Sequence, residues 1–419
     1  MDLCFYFQVH QPFRMRRYGL FDIGKRSDYF DDKKNKEVMQ KVAKKCYIPT
    51  NILLLDLIKR HNGNFKVAFS ITGTAIEQFE KYAPEVLDLF KELAATGCVE
   101  FLSETYYHSL SYIYSKDEFK HQVQMHKDKM KELFDVEPTV FRNTELIFNN
   151  ELANNVEGMG FKGIISEGAD HILGWRSPNY LYSPKTTNNI KLLMKNYKLS
   201  DDIAFRFSQQ SWEDYPLTTE KFLNWVQESP GETVNLFMDY ETFGEHQWED
   251  TGIFKFLDKL PEVMLSNNIG FVTPSQALNR EVKDEVDVHN FMSWADVERD
   301  LSAWVGNKIQ DSAIDELYKF EGKVMASGDE KLKEDWRKLT TSDHFYYMCT
   351  KWFSDGDVHK YFNPYETPYE AFINFMNILN DMTGRLNNIS SKSTQENILE
   401  EKPLAQATAI ENPSSRLIS

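Results

Sequence analysis

The sequence predicts an α/β fold, a parallel (β/α) barrel or open sheet followed by a helical region. Three observations predict it. Short apolar runs alternate with amphipathic, helix-length segments seven or eight times over about 275 residues, the texture of repeated βα units. His10, Glu104, Glu145, Glu167 and Asp239 all fall at or just beyond the carboxyl ends of the expected strands, the face on which such folds keep their chemistry. After about Asn279 the alternation gives way to apolar residues at three-to-four spacing, which predicts helices.

In chain order, residues 3–9 read as the first strand, stopping at His10-Gln11-Pro12. A charged insertion covers 14–36, and a helical pattern runs over 37–60, where Pro49 should break or kink it. His61-Asn62-Gly63-Asn64 is a turn, 65–71 the second strand, and 75–95 a helix ended by Thr96-Gly97. The third strand, 98–102, runs into Ser103-Glu104. An amphipathic helix follows over 116–134, and the fourth strand, 139–142, leads straight to Asn143-Thr144-Glu145. After a helix at 150–159, the fifth strand (163–166) ends in Glu167. Residues 170–198, with Trp175, Arg176, Pro178 and Pro184, read as a long loop, and 203–207 as a short extra strand. A helix at 219–228 precedes the apolar run Val234, Leu236, Phe237 and Met238. That run ends in Asp239, Glu241, Glu245 and His246, with Gly244 turning the backbone among them. A helix at 253–266 and a strand at 270–274 close this half.

The expected division is therefore 1–280 as the barrel, 281–386 as a helical domain entered through a polar linker at 281–289, and 387–419 as an unstructured tail. The helical part carries Trp294, Leu301, Trp304, Ile309, Ile314 and Leu317, and is broken at Ser327-Gly328-Asp329.

Composition narrows the function. A net charge of −16 argues against nucleic acid or an anionic membrane as partner. Cys4, Cys46, Cys98 and Cys349 lie far apart with no C-x-x-C spacing, so neither a zinc site nor a disulfide framework is signalled. The N-terminal apolar run is too short for a secretion signal, and no stretch approaches the roughly 20 residues of a membrane span. A soluble, cytoplasmic protein is expected. Walker and dinucleotide fingerprints are absent, and no cofactor is implied.

Acids at strand ends suit glycoside hydrolysis, in which one carboxylate attacks the anomeric carbon and a protonated partner gives a proton to the leaving oxygen. Glu145 follows Arg142, whose charge would keep it ionised as a nucleophile. Asp239 lies among Glu241 and Glu245, whose like charges would raise its pKa and keep it protonated as the acid. Either acid alone reads equally as a helix cap or a surface charge; the pairing on one face singles them out.

The motifs then become recognisable. Val9-His-Gln-Pro12, residues 97–104 (Gly-Cys-Val-Glu-Phe-Leu-Ser-Glu), Phe141-Arg-Asn-Thr-Glu145, Phe237-Met-Asp-Tyr-Glu-Thr-Phe-Gly-Glu-His246 and Thr341-Ser-Asp-His-Phe-Tyr346 stand in the order in which glycoside hydrolase family 57 carries its motifs. With residues 174–178 and 301–304, the chain resembles that α-amylase and 4-α-glucanotransferase family over about residues 1–350. Tyr240, where glucanotransferase members have glycine, places it with the amylase-like branch. The resemblance implies an incomplete seven-stranded (β/α) barrel with a helical domain over its mouth, and a retaining double displacement on α-glucosidic bonds of α-glucans. By motif position Glu145 is the nucleophile and Asp239 the general acid/base. His10 and Glu100 would line the site, and Asp343, His344 and Tyr346 would complete the substrate cleft. His108, Trp175, Arg176 and Trp304 are further candidates for sugar contacts, each also readable as a structural residue. Glu241, Glu245 and His246 would support Asp239.

Three alternatives stand beside this reading. The same chemistry could serve a 4-α-glucanotransferase. His10, His108, Asp239 and His246 could converge on a cation as in deacetylases or α-mannosidases, although no H-E-x-x-H or H-x-H pair is present. A catalytically silent glucan-binding protein would keep the groove without the rate.

Overall fold

The structure, a computed structural model, describes residues 1–351 and 363–400, with side chains up to residue 389. Among these, ten strands are present: β1 (Asp2–Val9), β2 (Val67–Ile71), β3 (Val99–Phe101), β4 (Val140–Arg142), β5 (Gly163–Glu167), β6 (Leu181–Pro184), β7 (Lys191–Lys195), β8 (Thr233–Asp239), β9 (Gly270–Phe271) and β10 (Val282–Val286).

Seven of them form a ring. β1 lies between β2 and β8, all parallel, and β2 pairs with β3. β4, β5 and β7 form a second parallel run. The two arcs meet where Ser103, just past β3, bridges Phe141 of β4, and where the Asn196 N–H after β7 donates to the Asn235 carbonyl of β8 at 2.8 Å. The result is a (β/α) barrel one strand short of eight. β9 pairs with the first two residues of β1, below where β2 begins to pair, while β6 runs antiparallel to β7 and carries β10 beside it.

The period-two alternation of strands sorts the side chains. Cys4 and Tyr6 of β1 meet Ala68, Leu102, Val140, Ile165, Leu193 and Phe237 inside the barrel. Leu3, Phe5, Phe7 and Val9 face outward into the larger core beneath the surrounding helices. Each such fully buried Phe or Leu contributes roughly 1.5–3 kcal/mol. A separate core holds the helices that follow β10, built on Trp304, Ile314, Leu317, Trp336, Phe345 and Phe375. Met15, Tyr18 and Tyr29 from the insertion after β1 belong to it, so that insertion is a strap joining the two cores.

Several expectations are corrected. The helix expected over 75–95 is two, Gly73–Tyr82 and Pro84–Ala95, because Pro84 drives Ala83 out of helical backbone and starts the second helix. At Pro49 the helical pattern is interrupted but not ended: the backbone passes through a π turn at Ala43–Tyr47 just before it, and Pro49 sits in the first turn of Ile48–Arg60. The region expected to be loop contains β6 and the barrel strand β7, whose Leu192-Leu193-Met194 is a buried run of only three apolar residues between lysines. The strand expected at 203–207 is instead the end of the helix Tyr197–Ala204, which buries Leu199 and Ile203 four apart, and the turn after it, which buries Phe207. The expected linker contains β10. The helix Pro368–Glu400 runs past Asn387, since Leu386 and Ile389 continue its apolar stripe; the rest of the expected tail, 401–419, lies outside the described residues.

Candidate active site

Above the carboxyl ends of the strands opens a cleft of about 1440 Å³, walled by the barrel on one side and by Trp294 to Arg299, Asp343 and Tyr347 on the other. Both expected catalytic acids line it. Asp239 ends β8, in register with Gln8 of β1, and strand alternation turns it inward with Asn235 and Phe237. Glu145 sits in a one-turn 3₁₀ segment, Thr144–Leu146, directly after β4, with a left-handed backbone (φ +58°). A non-glycine residue in that region costs on the order of 1–3 kcal/mol, and such strain collects at functional sites.

Three elements hold the Glu145 carboxylate. His108 Nε2 lies 3.0 Å from Oε1, the Ser342 hydroxyl donates to the same oxygen at 3.3 Å, and the Trp294 indole N–H donates to Oε2 at 2.7 Å. Burial works against its charge, but the hydrogen bond and charge of His108, with Arg142 behind, hold the carboxyl down at about 2. His108 is itself clamped, its Nδ1 lying 3.1 Å from Glu104 Oε2. Burial disfavours the imidazolium, but the two carboxylates prevail and push its pKa up to about 9. Glu104 has no access to solvent. It accepts from Gln8 at 3.0 Å and from the Ser70 hydroxyl, and His108 and Arg142 overcome burial to hold it at about 2. Glu104, His108 and Glu145 therefore form a buried chain of anion, cation and anion.

On the Asp239 side, Glu241 is buried and accepts from Gln11 at 3.1 Å and from the Tyr47 hydroxyl. Burial and then the Asp239 carboxylate push it up to about 8. Glu245 is buried and paired with Lys41. His246 lines the cleft beside them. His10 joins the halves: Nδ1 lies 3.0 Å from the Thr72 hydroxyl and Nε2 2.9 Å from Asp343, and its ring stacks on His108.

The other expected site residues lie elsewhere. Glu100 faces into the barrel on β3, but Leu102 and Glu104 occupy the next inward layers above it. At about 3.3 Å per residue it sits roughly 13 Å below Glu104, where it accepts from the Ser275 N–H at 2.9 Å. Trp175 is 96% exposed outside the cleft. Arg176 caps the carbonyls of Ile172 and Leu173 and pairs with Asp284. Trp304 is 1% exposed in the helical core, with Tyr346 against it at 6.3 Å. His344 is buried, with Nε2 near the Lys338 carbonyl. In the turn Ser342–Tyr346 and its C-cap, Asp343 and Tyr347, four apart, share the face on the cleft, and the residues between them turn into the core.

Glu104, Gln11, Ser342, Tyr347 and Trp294 went unassigned in the sequence. Glu104 and Gln11 stand within recognised segments and could have been found by strand alternation; Trp294 carries no sequence signal. The ring nitrogens of His10 and His108 all face Thr72, Asp343, Glu104 or Glu145. Among the described residues no three His, Cys, Asp or Glu side chains are grouped to hold a metal ion, so the geometry gives the cation reading no support.

Comparison with known proteins agrees with this layout. A Methanocaldococcus jannaschii protein named "Putative alpha-amylase" is 45% identical over 412 residues, covering 94% of this chain and 86% of its own. The solved branching enzyme of Pyrococcus horikoshii superposes with a TM-score of 0.67 at 16% identity over 96% of this chain and 93% of that one. The alpha-amylase of Thermotoga maritima does so at 0.60 and 12% identity over 96% and 95%. At such identities these two show the fold alone. The family model for glycosyl hydrolase family 57 matches residues 4–289, taking in all of the ring of strands but the first two residues of β1, and both cleft acids, Glu145 and Asp239. On that match and the 45% relative, the chain belongs to glycosyl hydrolase family 57 and is a glycoside hydrolase.

Proposed function

We propose that the protein cleaves α-glucosidic bonds of α-glucans such as maltooligosaccharides, starch or glycogen by a retaining double displacement, with Glu145 as nucleophile and Asp239 as general acid/base. The observation that carries this is the state of Glu145: a strained, ionised carboxylate on the floor of a large cleft, fixed by three separate elements and sharing that cleft with Asp239. A nucleophile must be charged and oriented before the sugar arrives, and the ring of donors does both. Asp239 gives its proton to the leaving oxygen, then takes one from the water that hydrolyses the glycosyl ester. The volume exceeds the roughly 300–1,000 Å³ of ordinary small-molecule pockets, which suits several glucose units. The name of the 45% identical relative points the same way. The four cysteines are free, three of them buried, which fits a reducing, cytoplasmic setting. No helix among the described residues is long and apolar enough to cross a membrane.

The test is mass spectrometry of maltoheptaose incubated with the protein and with Glu145→Gln and Asp239→Asn. Shorter oligosaccharides from the parent protein, unaffected by chelator, and turnover reduced by about three orders of magnitude or more in Glu145→Gln are expected. Products longer than maltoheptaose would turn the reading to 4-α-glucan transfer by the same chemistry. Full activity in Glu145→Gln would refute it.

A further inference from the structure

Trp294 lies outside the motifs and outside the residues matched by the family model, yet it makes two bonds to Glu145. Its indole N–H donates to Oε2 at 2.7 Å and its backbone N–H to the Glu145 carbonyl at 3.2 Å. The ring is fixed in turn. The guanidinium of Arg142 and the ammonium of Lys195 each lie 5.2 Å from its centre, in the range of cation–π attraction. Lys195 is buried and held by Asp201 at 3.1 Å and Glu167 at 3.7 Å. The segment that carries Trp294 is tied down on both sides. Met292 bridges Phe148 antiparallel, the Ser293 hydroxyl donates to the Asp300 carbonyl at 2.6 Å, and Arg299 donates to the Trp294 carbonyl.

We propose that Trp294 is a positioning residue for the nucleophile, its indole N–H fixing the second carboxylate oxygen so that Glu145 meets the anomeric carbon in one orientation. This rests on Glu145 being the nucleophile. His108 and Ser342 alone would hold only Oε1, about which the carboxylate could still swing through its side-chain torsions, leaving Oε2 without a fixed direction. The N–H on Oε2 removes that freedom, and loss of alignment at a reacting centre costs rate far more than affinity.

The test is covalent trapping with a 5-fluoro-α-maltosyl fluoride. The Glu145 carboxylate attacks the anomeric carbon, the C–F bond breaks, fluoride leaves, and the slow-to-hydrolyse glycosyl ester is located by peptide mass spectrometry. The parent protein and Trp294→Phe, which keeps a ring but lacks the N–H, are compared. Both should be labelled at Glu145. The variant should react about tenfold to a hundredfold more slowly at saturation, with the half-saturating reagent concentration within about twofold. Trp294→His, which restores a ring N–H, should recover part of the rate. Labelling of Trp294→Phe at the parent rate would overturn the inference, as would a loss confined to affinity or thermal stability. Absence of label on Glu145 in the parent protein would instead overturn the nucleophile assignment and the inference with it. A readout on the unsubstituted protein guards against a variant that does not fold. Esterification takes the charge from the carboxylate that the indole holds, so tryptophan emission should change in step with the mass shift; unchanged emission would also overturn the inference.

Discussion

His10 and His108 stack with ring centroids 4.0 Å apart, and only one of them is charged near neutral pH. Burial, then the neighbouring His108 charge, lowers the pKa of His10, while Glu104 and Glu145 overcome burial to raise that of His108 to about 9. One proton is thus localised between two carboxylates, and the neutral partner is left to pair with Asp343 across the cleft. Family membership explains why acids gather on this face; the histidine pair explains how one of them stays ionised while almost dry.

His108→Gln should show this through the pH dependence of stability. An unfolded histidine titrates near about 6.5, so stability conferred by the bound proton is complete below that pH and lost as pH rises through about 9. The gap between the thermal midpoints of parent and variant should narrow from pH 6.5 to 9.5. A gap independent of pH would assign His108 a packing role instead. The variant's kcat should also fall, by about a hundredfold, because Glu145 loses its cation.

Glu104→Gln removes an anion that touches no cleft surface. Breaking a buried ion pair costs about 3–5 kcal/mol, so a large drop in unfolding free energy in urea is expected. Activity per folded molecule should fall about tenfold, as His108 loses the partner that aims it at Glu145. Parent-like stability and rate would show that the chain of charges does not operate.

Glu241, whose pKa is also raised, gives the same sign from an acid. Its folded value of about 8 lies above the roughly 4.3 of an unfolded glutamate, so the stability tied to its proton is present below about 4.3 and lost as pH rises through 8. Glu241→Gln is permanently neutral. The two proteins should melt alike near pH 4, with the variant increasingly the more stable towards pH 8. An activity decline near pH 8 in the parent should be missing from the variant. If the variant is the less stable at pH 8, Glu241 is ionised in the folded protein.

The parts legible in the sequence are those in which an apolar run stops abruptly at a polar group. His10, Glu145 and Asp239 stand at or within three residues of the ends of β1, β4 and β8, and all three are cleft residues. β7 escaped because three apolar residues between lysines fall below any periodicity test, although burial on both faces makes them a barrel strand. Glu100 and Glu104 share a segment and an inward orientation, so only the height of each along the barrel separates a floor residue from a site residue. Asp343 was legible, but which neighbours face the cleft depends on how the turn docks, and that exchanged His344 and Tyr346 for Tyr347. Trp175 and Arg176 look like sugar-binding residues because both are polarisable and in a loop; Arg176 is engaged with carbonyls, and Trp175 lies outside the cleft. Trp294 reaches Glu145 through a contact 149 positions away, beyond any local pattern.

The most direct measurement is proton NMR of the first product formed from maltoheptaose, before mutarotation sets in. Attack by Glu145 on one face, followed by water on the opposite face from which the leaving group departed, inverts the anomeric carbon twice and requires the new reducing end to appear first as the α-anomer. The β-anomer appearing first would mean a single displacement by water, and would contradict a nucleophilic role for Glu145.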